Sequence, residues 1–280
     1  MLDPLKPEIF QSFWHGGELS PLAWLSLSTF VRRGYEFKLY CFDPVIVPRG
    51  VTLCSAEAIL EKNELFFVHN SYAPFADLFR YHLLCDQGSW WTDTDVILVG
   101  EDFPKKAIVF AEEARDNVNV AVLKFPHGHP LLVSLVSEMR RLDLRALGWG
   151  KSGPAIFTRY IKEFELYGEC VPTKIIYPLN WIEAYKFILP EYLSEVEEKI
   201  DGALFVHIWN SIFVHWGFST REHMPLAGSY LDNLYHDFGV YERFSLKRID
   251  AECLRKNINS LRTESDWVER AKNSGKYIPD

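Results

Sequence analysis

The chain has 280 residues, 48% hydrophobic and 15% aromatic, with a formal net charge of −8. This composition excludes a disordered chain and supplies the core of one large domain. The acidic balance excludes a nucleic-acid binder, which needs a basic footprint.

The start, Met1-Leu-Asp-Pro-Leu-Lys6, is polar and broken by proline, so no signal peptide is expected. No apolar run reaches the roughly 20 residues of a membrane span. Five widely spaced cysteines (Cys41, Cys54, Cys85, Cys170, Cys253) lack any Cys-x-x-Cys pair. They read as reduced thiols, mostly in the core, of a cytoplasmic protein.

Residues 8–14 read as a strand ending in Trp14. Ser20-Pro21 opens a helix to Val31, stopped by Gly34. Residues 36–42 form a strand, and Ser55 caps a short helix over 56–62. A longer helix covers 71–87, with Pro74 in its first turn and Gly88 just past its end. Phe75, Leu78 and His82 keep the apolar spacing, while Asp77, Arg80 and Leu84 share another face. Asp77 and Arg80 fit either a surface ion pair worth well under ~1 kcal/mol or the floor of a polar pocket. A pocket arginine carries little of the core, so Arg80→Lys is expected to cost rate and leave the unfolding midpoint nearly unchanged.

Asp93 and Asp95 come next, directly before the apolar run Val96-Ile-Leu-Val99. In extended backbone, residues two apart point to one side, so both carboxylates would leave a strand end on the same face. Two hard oxygen ligands suit Mg²⁺ or Mn²⁺, ions that commonly also hold phosphates. Because the pair precedes its strand, the rule placing ligands beyond the carboxyl ends of strands does not locate it.

Residues 106–111 and 118–125 read as strands, the second apolar enough to be central. His127-Gly-His129 looks like a metal pair but lacks a third ligand nearby, and His129-Pro130 reads as the start of a helix to about Leu144. Gly153-Pro154 opens another helix, to about Glu165. Residues 174–177 and 204–208 are short strands, with His207 at the end of the second and Asn210 just after. The alternation favours an α/β fold with a mostly parallel sheet. From about Tyr230, basic residues alternate with isolated apolar ones. This suits a helical appendage, or a peripheral membrane contact against which Glu264, Asp266 and Glu269 weigh. No Gly-x-Gly-x-x-Gly, Walker loop or Gly-x-Ser-x-Gly is present, so a nicotinamide enzyme, an ATPase and an esterase lack support.

Asp77-Leu-Phe-Arg80 followed by Gly88-Ser-Trp-Trp-Thr-Asp-Thr-Asp-Val96 resembles the sugar-binding region with a DXD motif of glycosyltransferase family 32. Asp77, Arg80, Leu84, Gly88, Trp91, Asp93 and Asp95 fit that pattern, and Ser89 replaces its second glycine. Ile9–Gly16, Trp149–Thr158 and Phe205–Asn210 resemble further segments, so the likeness spans residues 5–217. The resemblance implies a GT-A fold, a Rossmann-like mixed sheet flanked by helices, here assigned to 1–228; the tail over 229–280, which carries no family motif, is expected to be a helical appendage of the same domain. It implies a metal-dependent bacterial enzyme of surface polysaccharide synthesis, peripheral at the inner membrane face. A hexose would pass, with retention, from a nucleotide-diphosphate donor, UDP-linked, to a hydroxyl of an oligosaccharide or lipid-linked glycan. Mn²⁺ or Mg²⁺ would sit on Asp95 with Asp93 and His207. Asp77 and Arg80 would hold the donor sugar, and Trp14 and Asn210 would contact the donor. His215 and Trp216 would line the acceptor site. Two other classes stay open: a metal-dependent phosphoester or nucleotide-sugar hydrolase, and a non-catalytic glycan-binding protein.

Overall fold

The structure, a computed structural model, describes residues 8–68, 71–146 and 151–263. The first six residues, Trp149, and the acidic positions Glu264, Asp266 and Glu269 lie outside them.

Strand β1 (Ile9–Trp14) leads into helix α1 (Pro21–Arg32). The Ser20 hydroxyl accepts from the Ala23 N–H at 3.1 Å, and proline holds the first helical position. β2 (Glu36–Cys41) and β3 (Val51–Ser55) follow, then α2 (Ala73–Gln87) and β4 (Ser89–Thr92). Gly88 makes the sharp reversal between α2 and β4. Its φ is +63°, and a Cβ there would lie 2.5 Å from the His127 backbone nitrogen, so only glycine fits.

β5 (Val96–Leu98) comes next, then the hairpin of β6 (Glu112–Ala114) and β7 (Asn117–Val118), then β8 (Val122–Phe125). Four helices follow: α3 (Pro130–Met139), α4 (Ile156–Glu163), α5 (Thr173–Ile176) and α6 (Leu193–Ile200). β9 (Phe205–His207) pairs antiparallel with β5 as a separate two-stranded sheet. After it come α7 (Asn210–Phe213), β10 (His223–Met224), α8 (Tyr230–Asp237), α9 (Val240–Arg243), β11 (Lys247–Arg248) and α10 (Ala251–Thr263).

The main sheet runs β3-β2-β1-β4-β8, with the first four strands parallel and β8 antiparallel to β4. The strand order reverses at β1, whose neighbours β2 and β4 leave in opposite directions. Ligands of open α/β sheets bind in the crevice at such a point, beyond the carboxyl ends. The sheet separates two cores. Phe10, Leu39 and Trp90 face one, with α1 and the C-terminal helices; Phe13, Trp91 and Leu123 face the other, with α2, α3 and α4. Trp90 and Trp91 thus serve opposite faces of one strand.

This is the expected α/β architecture of a mostly parallel sheet flanked by helices. Several local readings are corrected. Residues 106–111 form no strand; only a bridge from Val109 to Lys124 remains. Residues 174–177 are not a strand but largely helix α5, following Pro172. The run 118–125 breaks into β7 and β8, and β8 ends the sheet rather than lying inside it. The helix expected over 56–62 shrinks to two single 3₁₀ turns, Ala56–Ala58 and Lys62–Glu64. β3 and β4 carry no expectation from sequence: one is short and half exposed, and the other hides behind the Trp-Trp pair. All five cysteines are free: Cys41 is buried in one core, Cys54, Cys85 and Cys170 pack half-buried against the other, and Cys253 is exposed. No helix among the described residues is long and apolar enough to cross a membrane.

Candidate active site

A cleft of about 440 Å³ opens beyond the carboxyl ends of β1 and β4. The two aspartates line it, but not as a strand edge. Asp93 follows the end of β4, and residues 94–95 form a turn closed by the Val96 N–H donating to the Asp93 carbonyl at 3.2 Å. The turn, not an extended backbone, brings the carboxylates together. They therefore sit at the switch point that the ligand rule identifies, because the preceding β4, invisible as a strand in the sequence, belongs to the main sheet. The Asp93 N–H donates to the Ala121 carbonyl at 2.8 Å, and the Ile208 N–H donates to the Asp95 carbonyl at 3.0 Å. The pair is thus anchored to both sheets.

Arg80 joins the aspartates to α2. Its Nη1 donates to Asp77 Oδ1 at 2.9 Å and its Nη2 to Asp93 Oδ1 at 2.7 Å. The guanidinium lies over the Trp91 ring, 4.8 Å from its centroid. Trp91 Nε1 also donates to Asp93 Oδ1, at 2.7 Å. Both donors fall on one oxygen of Asp93. Arg80 is 3% exposed and Asp77 8%, so the surface ion-pair reading fails. Ser152 Oγ donates to Asp77 Oδ2 at 2.8 Å from the turn Lys151–Ala155. Gly153 in that turn lies so near that a Cβ would stand 3.0 Å from Asp77 Oδ2.

On the opposite wall His207 Nε2 lies 3.3 Å from Asp95 Oδ1, and the Asn210 N–H donates to Asp95 Oδ2 at 2.9 Å. Trp209, between them, adopts a left-handed φ of +58° that aims the Asn210 N–H at the carboxylate. Its ring packs 4.0 Å from the imidazole. The Asn210 side chain accepts from Thr220 Oγ1 at 2.7 Å. Trp14 lines the far end, with the Arg221 guanidinium 5.2 Å over its ring.

Ligand atoms of Asp93, Asp95 and His207 all lie within 4.8 Å of one another. Two carboxylates and one imidazole make a mixed O/N donor set suited to Mn²⁺ and tolerable for Mg²⁺. Electrostatics agree with that fit. Burial pushes the Asp93 carboxyl up, against the pull of Arg80. Burial also opposes the charge of Asp95, yet His207 and the Asn210 N–H hold it below the usual range. For His207 burial works against the imidazolium, but Asp95 and Asp93 overcome it and raise its pKa. Burial lifts Asp77 to about 6 despite Arg80. Asp77, Asp93 and Asp95 are thus met by the Arg80 guanidinium and the His207 imidazole.

The other sequence candidates separate. His127 Nδ1 meets the Asp86 carbonyl at 2.8 Å, and His129 Nδ1 accepts from the Leu131 N–H, capping α3. Neither lines the cleft. Trp216 is buried in the core beside Tyr185 and Phe213, and neither it nor His215 lines the cleft. Sequence reasoning missed Glu113, a buried carboxylate in the cleft wall. Its signal was an acidic pair, Glu112-Glu113, set inside the apolar run 107–123.

Residues 124–231 match the family model described as the alpha 1,4-glycosyltransferase conserved region. The matched region runs from β8 into α8 and takes in under half of the chain. It includes Ser152, Gly153, His207, Trp209 and Asn210, whereas Asp77, Arg80 and the two aspartates precede it. No curated protein matches the chain. Among solved structures it resembles the PaToxG glycosyltransferase at 15% identity and a TM-score of 0.40, covering 82% of this chain and 85% of that one. It also resembles apo GlyE of Streptococcus pneumoniae TIGR4 at 12% identity and a TM-score of 0.45, covering 93% of this chain and 64% of that one.

Proposed function

We propose that the protein is a glycosyltransferase that moves a hexose from a nucleotide-diphosphate sugar, UDP-linked, to a glycan hydroxyl, using Mn²⁺ or Mg²⁺. The observation that carries this reading is the convergence of Asp93, Asp95 and His207 at the switch point, beside the buried Asp77–Arg80–Asp93 chain. Asp93, Asp95 and His207 would hold the ion. When bound, it offsets the charge gathering on the departing diphosphate. Asp77 accepts a hydroxyl of the donor sugar. Arg80, spent on two carboxylates, positions Asp77 and Asp93. The Trp14 ring offers its face to the nucleobase, and Asn210 steadies Asp95 through its backbone. Retention of the anomeric configuration and a role in bacterial surface polysaccharide synthesis at the inner membrane face are parts of the same reading. So is the inclusion of residues 229–280 in one domain with the rest.

A thermal-shift panel of UDP-glucose, UDP-galactose and GDP-mannose, with and without Mn²⁺, tests it. Binding to the folded state alone raises Tm with saturation, by an amount equivalent to about 2.7 kcal/mol at a hundredfold excess over Kd. The expected result is a rise with one nucleotide sugar that EDTA abolishes. No shift with any donor, or equal shifts in EDTA, would sink the reading. The anomeric configuration of the first-formed product, followed by NMR, decides retention.

A further inference from the structure

We infer that Arg221 is a phosphate-binding residue of this cleft, its guanidinium taking the diphosphate of the nucleotide donor; this rests on the donor-binding reading above. Among the described residues that line the cleft, only Arg80 and Arg221 carry a permanent positive charge. Arg80 is committed, with its terminal nitrogens on Asp77 and Asp93. Among the described residues the Arg221 guanidinium makes no ion pair and no hydrogen bond. It rests over the Trp14 ring, 5.2 Å from the centroid.

Both partners of that contact are held in place. Trp14 Nε1 donates to the Gly17 carbonyl at 3.0 Å, which fixes the indole. The turn that carries Arg221 is closed on itself. The His223 N–H donates to the Ser219 carbonyl at 2.8 Å, the Ser219 N–H to His223 Nδ1 at 3.1 Å, and the Arg221 N–H to Ser219 Oγ at 3.3 Å. The Lys247 N–H donates to the Glu222 carbonyl at 2.7 Å, anchoring the turn to β11. Thr220, the buried neighbour of Arg221, donates from its hydroxyl to the Asn210 side chain at 2.7 Å, and the Asn210 N–H holds Asp95.

Arg221 therefore joins two ends of the site. Its backbone neighbour is tied to residues proposed to hold the ion, and its head group lies on the ring proposed for the nucleobase. In a nucleotide-diphosphate sugar the phosphates connect the nucleoside to the transferred sugar, so they belong between those two ends. A guanidinium is a planar fork of N–H donors that matches phosphate oxygens, and it stays charged throughout the working pH range. Stacking on an aromatic ring uses the plane of the fork and leaves its rim open for hydrogen bonds. An ion on Asp93, Asp95 and His207 offsets part of the diphosphate charge, and Arg221 takes oxygens that the ion leaves.

The experiment compares wild type, Arg221→Gln and Arg221→Lys. It measures Kd for UDP and for GDP with Mn²⁺ in low and high salt, about 0.01 M and about 0.3 M NaCl. Tm is recorded for each protein. For a nucleotide that wild type binds, Arg221→Gln should weaken binding roughly fivefold or more in low salt. The gap to wild type should shrink in high salt, where an exposed ion pair is screened. Arg221→Lys, which keeps the charge but loses the fork, should fall between. Tm should stay within about 5 °C of wild type, because the substitution removes no side-chain hydrogen bond of the fold. A loss in Arg221→Gln below about fivefold overturns the inference and leaves the arginine to an anionic acceptor. A loss that salt does not reduce also overturns it, since that marks a stacking contact with the base. A larger fall in Tm in both variants makes Arg221 a prop for Trp14 and overturns it as well. If wild type binds neither nucleotide, the donor-binding reading fails and this one with it; wild-type binding with unchanged variants sinks this one alone.

Discussion

At the residue scale the site turns on shared carboxylate oxygens. Asp95 is held by His207 and the Asn210 N–H, both of which an asparagine could partly satisfy. Asp95→Asn should therefore fold, while losing roughly a thousandfold in kcat if Asp95 holds the proposed ion, because the substitution removes a ligating charge. Near wild-type turnover in the purified variant would disprove the assignment. Arg80 behaves differently from the expectation drawn on sequence. It is buried against Trp91 and bridges Asp77 and Asp93, so it is scaffold as well as site. Breaking a buried ion pair costs about 3–5 kcal/mol, and lysine retains at most one of the two partners. Arg80→Lys should lower both kcat and Tm, the latter by about 5 °C or more. An unchanged melting point would contradict the buried geometry. That Asp77 and Arg80 belong together was legible from their i, i+3 spacing. That they are buried was not, because burial depends on β4 and the Lys151–Ala155 turn arriving from elsewhere.

At the element scale, α2 and the Lys151–Ala155 turn set the site's tolerance. Gly153 has φ −102° and ψ −112°, and its missing side chain admits the Asp77 carboxylate. Asp77 is held by Arg80 and Ser152 and cannot retreat far. Gly153→Ala should displace it by a few tenths of an ångström and slow transfer by about tenfold or more, since reacting groups tolerate little misplacement. Its Tm should fall less than that of Arg80→Lys; parallel kinetics and melting check both.

The outer face of α2 carries a pH-dependent element. His82 Nε2 accepts from Arg140 Nε at 2.9 Å. Burial, with the Arg140 charge, lowers the His82 pKa to about 4. The unfolded chain takes up this proton near pH 6.5, and the folded chain only near 4. Stability from this group is complete above 6.5 and declines as pH falls toward 4. Asp77, raised to about 6 by burial, acts oppositely, since its folded carboxyl keeps a proton the unfolded one has lost. Comparing wild type with His82→Gln isolates the histidine. The variant's urea midpoint should fall less between pH 7 and 4.5, and identical slopes would exclude the effect.

At the scale of the whole molecule, the last described helices close one of the two cores. Leu231, Tyr235, Val240, Leu254 and Ile258 join Phe205 and Trp216 there. Arg255 donates to both oxygens of Glu191, at 2.8 and 2.9 Å, and Asn257 Nδ2 donates to the Trp216 carbonyl at 3.2 Å. Truncation after Asp250 should strip two buried aliphatic side chains from that core, at about 1.5–3 kcal/mol each. A Tm several degrees lower is expected; an unchanged Tm would show that α10 adds nothing to the fold.

Local pattern was readable in the chain: a helix over 71–87 with Gly88 just past its end, a carboxylate pair two residues apart, an apolar strand ending near His207, and alternation enough for an α/β sheet. Each depends on short-range periodicity or on backbone chemistry that one residue carries. The remainder came from contacts between distant segments. They made Asp93-Thr94-Asp95 a turn rather than a strand edge. They placed that turn at the reversal of strand order, and they brought His207 and Glu113 into the cleft. Strand pairing between distant segments leaves no period in the chain, and a carboxylate's neighbours across a cleft are set by packing rather than by spacing.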